Sequence, residues 1–381
     1  RPHKPTTMIH RNRMTSFWLR WLSLVLVLLA LPAPAAVIAP RNLYEGEVLI
    51  DPQNPSAREV LMRQALGQVL VRITGDREIT KRKVGIELLK LAPRLVQQYD
   101  YDRRPAPPVK GAPSTASTPS AMPAPEIKVF RARFDARVLD AQLRERGLPV
   151  WGRERPVTQV WLGVQEEGSR WLLTESIAAV DAPSLLQAAL GRGVPLALPL
   201  AASASELQDV MQGATGNLVA SARSSGHKRL LIGRITQKGA QWNGSWTLLD
   251  SNGQAQDKWQ GTAANREEAF AFGIDQMANA YAARYAVRGG VVTASGAVRL
   301  QVSGVESAAD YARVSKYLAG LSIVTGVELV EMADGRASYD LRLRGDRVNM
   351  QQAIALSSLL KPESEPAPPA ADAPLSYQLV K

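Results

Sequence analysis

Few side chains in this chain have the types and spacing of a catalytic group. There are three histidines, and since His3 and His10 lie in the first ten residues, His227 alone remains for the body of the protein. It stands in SSGHKRLL, at a predicted helix-to-strand turn, where a polar residue without a chemical role is common. Ser225 and Lys228 form an S-x-x-K pattern, but no S-D-N or K-T-G box accompanies them. The pattern therefore gives little support to a catalytic triad or a serine–lysine enzyme.

Metal and cofactor motifs are missing from the sequence as well. No cysteine occurs, which excludes thiolate ligands, thiol catalysis and a lipid-acceptor cysteine. The α/β part contains no G-x-G-x-x-G, G-x-x-x-x-G-K-[ST] or G-x-S-x-G sequence, and no D-x-D-x-D-G loop is present. The sequence therefore predicts no cofactor and no metal site. Carboxylates such as Asp135, Glu154 and Asp181 remain for an alternative in which the protein is an enzyme.

Two patterns suggest binding, although both have a simpler explanation. The basic run at residues 81–83, with Arg72 and Arg77 nearby, could contact an anionic polymer or a membrane surface, but a solvated helix face is the favoured interpretation. Trp242, Trp246 and Trp259 could form a ligand platform. Because Trp242 and Trp246 are four residues apart, they share a strand face and are expected to pack under the helix that ends near residue 287.

The N-terminus predicts export. Three arginines precede the apolar run WLSLVLVLLALPAPAA, which ends in small residues with A-x-A spacing, the order of a secretory signal peptide in residues 1–36. We expect processing near Ala35 or Ala36 and a periplasmic product without a stable membrane span. The alternative is an inner-membrane anchor formed by an uncleaved signal, although the uninterrupted run 21–31 is shorter than the about 20 residues of a bilayer span. Met8 and Met14 are both plausible true starts.

Composition and charge limit the class of protein and the class of partner. An apolar content of 45% with 21% charged residues is that of a globular protein. The net charge is +11, but residues 1–36 hold five Lys or Arg and no acid, so 41 basic and 35 acidic residues remain, a charge of +6. Such an excess favours anionic lipid, a cell-wall polymer or an acidic protein by long-range attraction. Export argues against nucleic acid as the partner.

The hydrophobic pattern divides the rest of the chain into three units. Residues 42–150 are predicted to form an α+β domain with a disordered Pro/Ala/Ser-rich loop at 104–125 at the tip of a hairpin, the rival interpretation being a domain boundary inside this loop. Residues 151–288 alternate strand and helix, which predicts a three-layer α/β domain. Residues 296–360 read β-α-β-β-α, which predicts a ferredoxin-like unit. The tail at 361–381 is rich in Pro and Ala, with SYQLV available for a final strand.

Local signals place the first elements. A helix is predicted from Ser56, with Ser56 and Glu59 as a capping box and Gly75 as its C-cap. A second helical stretch covers TKRKVGIELLKLAPRLVQQ, and a third helix begins at the N-cap Asp135 and ends at Gly147. The sequence NLYEGEVLI alternates in the manner of a half-buried strand, with Tyr44, Val48 and Ile50 between polar neighbours, and VTQVWLGVQ alternates as a further strand.

The stretch LPVWGRERP, residues 148–156, lies between the first and second units. Prolines on both sides of it restrict the backbone to extended conformations. We predict an interdomain seam with a buried indole, a turn at the glycine, and one arginine paired with an acid or stacked on an aromatic ring. The predicted seam residues are Trp151, Gly152, Arg153, Arg155 and Pro156. In this interpretation Glu154→Gln has little effect.

Several stretches together resemble a known family. In chain order they are ALGQVLVRITG, YDYD, VFRARFD, GLPVWGRERPVTQVWLGV, RGVPLALPL, LLIGRI, WNGSWTLL and GVESAADYARVSKYL. They resemble the exported proteobacterial family known as domain of unknown function 2066 over residues 43–360. The most specific piece is W-G-x-x-R-P followed by V-W-L, and the insert at 104–125 is longer than the family pattern. The resemblance implies no catalytic residues. A weaker fold-level likeness to flagellar assembly, curli-export and penicillin-binding-protein activator factors implies binding.

These observations favour a multidomain, exported envelope protein that is not an enzyme. Its predicted function is that of a non-catalytic binding or assembly factor for an envelope protein or a cell-wall polymer. The alternative is a carboxylate-dependent hydrolase or transferase of the cell envelope.

Overall fold

The computed structural model describes residues 37–39, 42–51, 53, 56–105, 126–288, 298–363 and 373–381. The predicted signal segment, residues 106–125 of the predicted loop and residues 364–372 of the tail lie outside the described residues. The described residues form a mixed α/β fold with eleven α-helices and four sheets. We call the three larger sheets the N-terminal, central and C-terminal sheets, with strand orders given below.

The N-terminal sheet has the antiparallel order β2-β4-β3. The pairing of β3 with β4 agrees with the hairpin predicted on either side of the 104–125 loop. The elements of this part are β1 (Val37–Ile38), β2 (Glu45–Ile50), α1 (Arg58–Thr74), a 3₁₀ turn (Ile79–Lys81), α2 (Lys83–Lys90), α3 (Ala92–Leu95), β3 (Val96–Pro105), β4 (Glu126–Phe134) and α4 (Ala136–Glu145).

Helix α1 covers the N-terminal sheet with its apolar face. Leu66, Val69 and Leu70 are fully buried in one cluster with residues of β4 such as Phe130. Helix and strand approach closely at Gly46 of β2, where a Cβ atom would overlap the Ala65 carbonyl. Only glycine permits this contact.

The structure corrects the predicted start of α1 and confirms its end. The N-cap is Ala57, without a side-chain cap, so the capping box of Ser56 and Glu59 is wrong. Because the helix begins at Arg58, Glu59 falls in its first turn and pairs with Arg63 one turn later. Gly75 is the left-handed C-cap, with φ 70°.

The second predicted helix is also shorter than expected. It breaks at Leu91 between α2 and α3, because Pro93 has no N–H to continue the hydrogen bonding of α2. The last predicted turn, from Val96, belongs instead to β3, where it pairs with β4. Asp135 caps α4 as predicted and accepts hydrogen bonds from the backbone N–H groups of Arg137 and Val138. Gly147, just beyond α4, has a φ of 67°.

The central sheet has the order β1-β8-β6-β9-β10-β11, with β7 also paired to β6. Strand β6 lies parallel to both β8 and β9. The elements from β5 to β12 are β5 (Pro149–Val150), β6 (Thr158–Glu166), β7 (Ser169–Leu172), α5 (Glu175–Asp181), α6 (Pro183–Arg192), β8 (Leu196–Ala197), α7 (Ala204–Gln212), α8 (Gly216–Ser224), β9 (Arg229–Lys238), β10 (Gln241–Asp250), β11 (Ala255–Ala263), α9 (Arg266–Tyr285) and β12 (Val287–Arg288).

Strand β6 forms where VTQVWLGVQ predicts a strand, and it is buried along most of its length. Residues 158–164 are all buried, because helices pack on both of its faces. Val160 and Leu162 lie in a cluster with α6 and α9 residues, whereas Trp161 lies in a second cluster with α7 and α8 residues.

The strand β10 tryptophans pack under α9, as predicted. Trp242 and Trp246 are buried in the same cluster as the α9 residue Phe270. A Cβ atom at Gly273 would overlap the Trp246 ring, so this glycine lets the helix lie directly on the indole.

The C-terminal sheet has the order β14-β15-β13-β17-β16, with β13 parallel to β17. SYQLV supplies the final strand, which runs beside the first strand of this unit. The elements are β13 (Val298–Ser303), α10 (Ala308–Gly320), β14 (Val324–Ala333), β15 (Arg336–Leu343), α11 (Arg347–Ala355), β16 (Leu360–Pro362) and β17 (Leu375–Leu379).

Candidate functional site

The strand β5 immediately before Trp151 connects distant parts of the chain. It pairs antiparallel with β12, which follows α9, through the register pairs Val150 with Val287 and Pro149 with Arg288. The two chain segments that leave the N-terminal and central parts therefore run side by side. Trp151 is the first residue after this paired segment.

Trp151 bonds to the N-terminal part and packs into the central part. Its backbone N–H donates to the Ile73 carbonyl at the end of α1, at 2.6 Å. Its indole is 0% exposed and lies edge-on to the ring of Tyr281, with the centroids 6.5 Å apart. The residue thus joins α1 to α9.

Arg155 lies over Trp151, with its guanidinium carbon 3.9 Å from the ring centroid. Burial lowers its pKa to about 9. The guanidinium donates five hydrogen bonds of 2.8–3.1 Å, all to backbone carbonyls: those of Gly152, Trp151, Arg72, Arg192 and Gly193. Because the last three belong to the ends of α1 and α6, Arg155 ties these two helices together.

Glu154 and Gly152 face the C-terminal sheet. The Glu154 carboxylate accepts a hydrogen bond from the Ser322 backbone N–H at 2.9 Å and a second, short one from the Ser322 hydroxyl. A Cβ atom at Gly152 would overlap the Ser322 side chain. Glu154 therefore has a structural contact that the sequence did not suggest, and the expectation that Glu154→Gln has little effect stays a prediction.

The two remaining predicted seam residues have different environments. Arg153 is exposed, and Pro156 is buried. The arginine that stacks on an aromatic ring is therefore Arg155 and not Arg153. Sequence reasoning could not separate these alternatives, because both arginines follow Trp151 within four residues.

A buried ion pair missed by the sequence reasoning lies on the other side of this junction. Arg192 donates to Asp275 at 3.1 Å, to Asn279 at 2.7 Å and to the Gly75 carbonyl at 2.8 Å. Asp275 is also paired with Arg77. The partners come from α1, α6 and α9. No local sequence signal identifies them, since 83 residues separate Arg192 from Asp275.

A cleft of about 210 Å³ lies beside Glu154. We call it the junction cleft, because its walls come from α4, β5, β12, α11 and the turns before β14 and after β15. Its charged lining residues are Asp140, Arg144, Glu154, Arg288 and Arg344. Asp140 accepts a hydrogen bond from the Tyr44 hydroxyl at 2.8 Å and lies 3.8 Å from Arg144.

Burial and the neighbouring charges shift the pKa values in this cleft. Burial raises the pKa of Asp140, and the Tyr44 hydrogen bond and the Arg144 charge oppose this rise. Burial and the charge of Arg144 lower the pKa of Arg344. The surroundings therefore disfavour the ionised form of the Asp140 carboxyl and the protonated form of the Arg344 guanidinium.

The other residues considered for catalysis do not line the junction cleft. Asp135 is the α4 N-cap, Asp181 ends α5, and neither lines the junction cleft. His227 lies at the turn between α8 and β9, where burial lowers its pKa. Lys228 donates to the Ser357 carbonyl at 2.7 Å, which leaves the S-x-x-K pattern without a supporting geometry.

Two side chains of the basic run at residues 81–83 form ion pairs with acids a few residues away. Lys81 bonds to Glu78 at 2.7 Å and Arg82 to Asp76 at 3.0 Å. Arg72 is buried and donates to the Glu45 carbonyl at 2.6 Å, so it is not part of a surface. These contacts favour the structural explanation of the run.

The described ranges lack both a metal-ligand cluster and a membrane-spanning helix. Within them no group of three or more His, Cys, Asp or Glu side chains could hold a metal ion. No helix in this part of the chain is long and apolar enough to cross a membrane.

Comparison with known proteins finds a similarity in the N-terminal part of the chain. A family model described as domain of unknown function DUF8605 matches residues 38–152, and the matched stretch ends within the predicted seam. The match carries neither the number 2066 nor a statement about export, and both stay predictions. No curated protein matches the chain.

Among solved structures, the LpoB C-terminal domain from Salmonella enterica is similar at 16% identity. The similarity covers 34% of this chain and 94% of that chain, with a TM-score of 0.20.

Proposed function

We propose that the protein is an exported, non-catalytic envelope factor that binds an envelope protein or a cell-wall polymer. In this proposal residues 148–156 are a seam that holds the three sheets as one binding body. The observation that carries the proposal is the set of seam contacts: Trp151 bonds to α1, Arg155 to α1 and α6, and Glu154 to Ser322 of the C-terminal part.

Sheets that are fixed relative to one another by these contacts present a prearranged binding surface. Ordering of loops and side chains opposes association, so a surface fixed before binding loses less free energy when the partner docks. The seam fixes the walls of the junction cleft, because Gly152 and Glu154 both line it. A partner that enters the cleft meets a prearranged set of charges.

The junction cleft favours an acidic chain end or side chain over a whole cofactor. Its volume of about 210 Å³ is below the roughly 300–1,000 Å³ of pockets for drug-sized ligands. Within the described residues, Arg288 and Arg344 have no carboxylate within 4 Å, whereas Glu154 and Asp140 are hydrogen-bonded to Ser322 and Tyr44. Guanidinium groups bind carboxylates with two parallel hydrogen bonds. Protein chain ends and peptide cross-bridges both carry carboxylates.

Site-specific photo-crosslinking tests the proposal. A photoreactive residue is introduced in place of Leu356, which lines the cleft, in cells that express the full chain. The matched control replaces Leu329, which is exposed and does not line the cleft. We expect one discrete adduct from position 356 and none from position 329. Equal adducts from both positions, or none from either, would refute a partner at this cleft.

Export is tested separately. We expect the mature protein to begin near residue 36 or 37 and to appear in the periplasmic fraction, as determined by N-terminal sequencing. An intact N-terminus in the membrane fraction would support the anchored alternative. Membership in the exported proteobacterial family is part of the same proposal.

One observation favours the alternative enzyme. Asp140 and Glu154 line the same cleft, and burial raises the pKa of Asp140, which is a property of general acids. A hydrolase of this kind would lose turnover in Asp140→Asn while its melting temperature stays unchanged. The binding proposal expects the crosslink from position 356 to persist in Asp140→Asn.

The finer fold assignment and the unit boundaries also belong to the proposal. Helix residues that pack on both faces of β6 support a three-layer central unit. The order β14-β15-β13-β17, with β13 parallel to β17, supports a ferredoxin-like C-terminal unit extended by β16.

A further inference from the structure

A second and larger cleft opens between the start of β9 and the C-terminal sheet. Its volume is about 900 Å³, and its walls come from β9, α11, β16 and β17. Four basic side chains line it: Lys228, Arg229, Arg347 and Lys361. The lining residues that the structure describes include no Asp or Glu. We call this site the basic cleft.

The basic side chains have only uncharged partners in the described part of the chain. Lys228 donates to the Ser357 carbonyl, and Arg229 donates to the Lys228 carbonyl at 3.2 Å and to the Tyr285 hydroxyl at 3.4 Å. Arg347 donates to the Ala373 carbonyl. None of the four cations has a carboxylate within 4 Å there, so their charges are not neutralised by an ion pair.

The one acid in register with these cations is held elsewhere. Asp250 pairs with Arg229 in the β9–β10 ladder, but its carboxylate accepts from the backbone N–H groups of Asn252 and Gln254 and from the Gln256 side chain. It is therefore committed to the turn between β10 and β11.

Two guanidinium donors in the cleft are also unsatisfied. The Nε atoms of Arg229 and Arg347 are buried and have no hydrogen-bond partner among the described residues. A buried donor without an acceptor destabilises the folded protein. Burial and the charge of Arg229 lower the pKa of Lys228, which is the response expected of crowded, unpaired cations. An anion in the cleft would relieve both costs.

We propose that the basic cleft binds a small molecule that carries phosphate groups. A phosphate has a charge of about −1.5 to −2 and three strong acceptor oxygens, which matches several unpaired cations better than a single carboxylate does. Lining hydroxyls of Ser251, Ser358 and Ser376 add neutral donors. The volume of about 900 Å³ lies within the range of about 300–1,000 Å³ for small-molecule pockets. This site is separate from the junction cleft and does not depend on the proposed function.

The test measures binding of inorganic tripolyphosphate to the full chain by isothermal titration calorimetry at low ionic strength. The cleft variant is Lys228→Gln with Lys361→Gln. The control variant is Lys90→Gln with Lys316→Gln, which removes the same charge from exposed lysines outside the cleft. We expect the cleft variant to bind at least tenfold more weakly and the control to change less than twofold. If the double cleft variant fails to fold, Lys361→Gln alone is used, because Lys361 is exposed on the short strand β16.

Further arms identify the ligand chemistry. Citrate, a tricarboxylate, should bind at least tenfold more weakly than tripolyphosphate. Equal affinity for citrate would overturn the assignment to phosphate. Equal weakening in both lysine variants would show only a general charge effect, and absence of tripolyphosphate binding to the unaltered chain would reject the site. Binding to phosphatidylglycerol vesicles without binding to tripolyphosphate would assign the cleft to a membrane surface and overturn the small-ligand proposal.

Discussion

Trp151→Ala tests the seam most directly. The indole is fully buried, packs against Tyr281 and carries the Arg155 guanidinium on its face. Truncation of a buried Trp to Ala costs about 3–5 kcal/mol through lost transfer energy and the remaining cavity. Arg155 also loses the ring beneath it, and a cation over an aromatic face contributes about 0.5–2 kcal/mol. Because whole proteins have about 5–15 kcal/mol of stability, the variant should lose a large fraction of it.

The assay is urea unfolding of the full chain followed by circular dichroism, since eight tryptophans complicate a fluorescence signal. Trypsin digestion of the folded protein provides a second measurement, with faster cleavage after Arg153 expected in the variant, since Pro156 blocks cleavage after Arg155. Trp171→Ala is the control, because Trp171 is only half-buried on the short strand β7 and should cost less. A Trp151→Ala protein of unchanged stability, combined with a Glu154→Gln protein that folds but loses its partner, would refute the seam and make these charges a functional site.

Three further predictions follow from single contacts. Glu154→Ala and Ser322→Ala should each destabilise the protein by about 1–2 kcal/mol, and since both remove the hydrogen bond between the Glu154 carboxylate and the Ser322 hydroxyl, the double variant should lose less than the sum in urea unfolding; additive losses would contradict a direct contact. Gly273→Ala should cost about 1–3 kcal/mol by overpacking, as its Cβ would overlap the Trp246 ring, and an unchanged melting temperature would show that α9 shifts freely. Burial raises the pKa of Asp140 above its usual 3.8, so the stability of the folded protein relative to Asp140→Asn should be greatest below pH 3.8 and should fall as pH rises through the raised pKa; urea unfolding from pH 3 to 7 measures this, and a relative stability that rises with pH would contradict the sign.

Local signals in the sequence determine many of the elements. Asp135 caps α4 and Gly75 ends α1, because a capping side chain and a left-handed glycine act within a few residues of their own position. The spacing of Trp242 and Trp246 predicts a shared strand face for the same reason. The errors at this level are small shifts along the chain, as at Ser56, where the helix begins two residues later than its apparent cap.

The tertiary structure alone decides what the charged residues do. The sequence around Trp151 indicates a buried indole between two apolar runs, but nothing in it selects Arg155 over Arg153 as the stacked arginine or identifies Ser322 as the partner of Glu154. The contact between Glu154 and Ser322 joins residues 168 positions apart, and the basic cleft combines Lys228 with Lys361. A hydrophobic pattern records which face of an element is buried, whereas the partner of a polar group depends on which elements the folded chain places together.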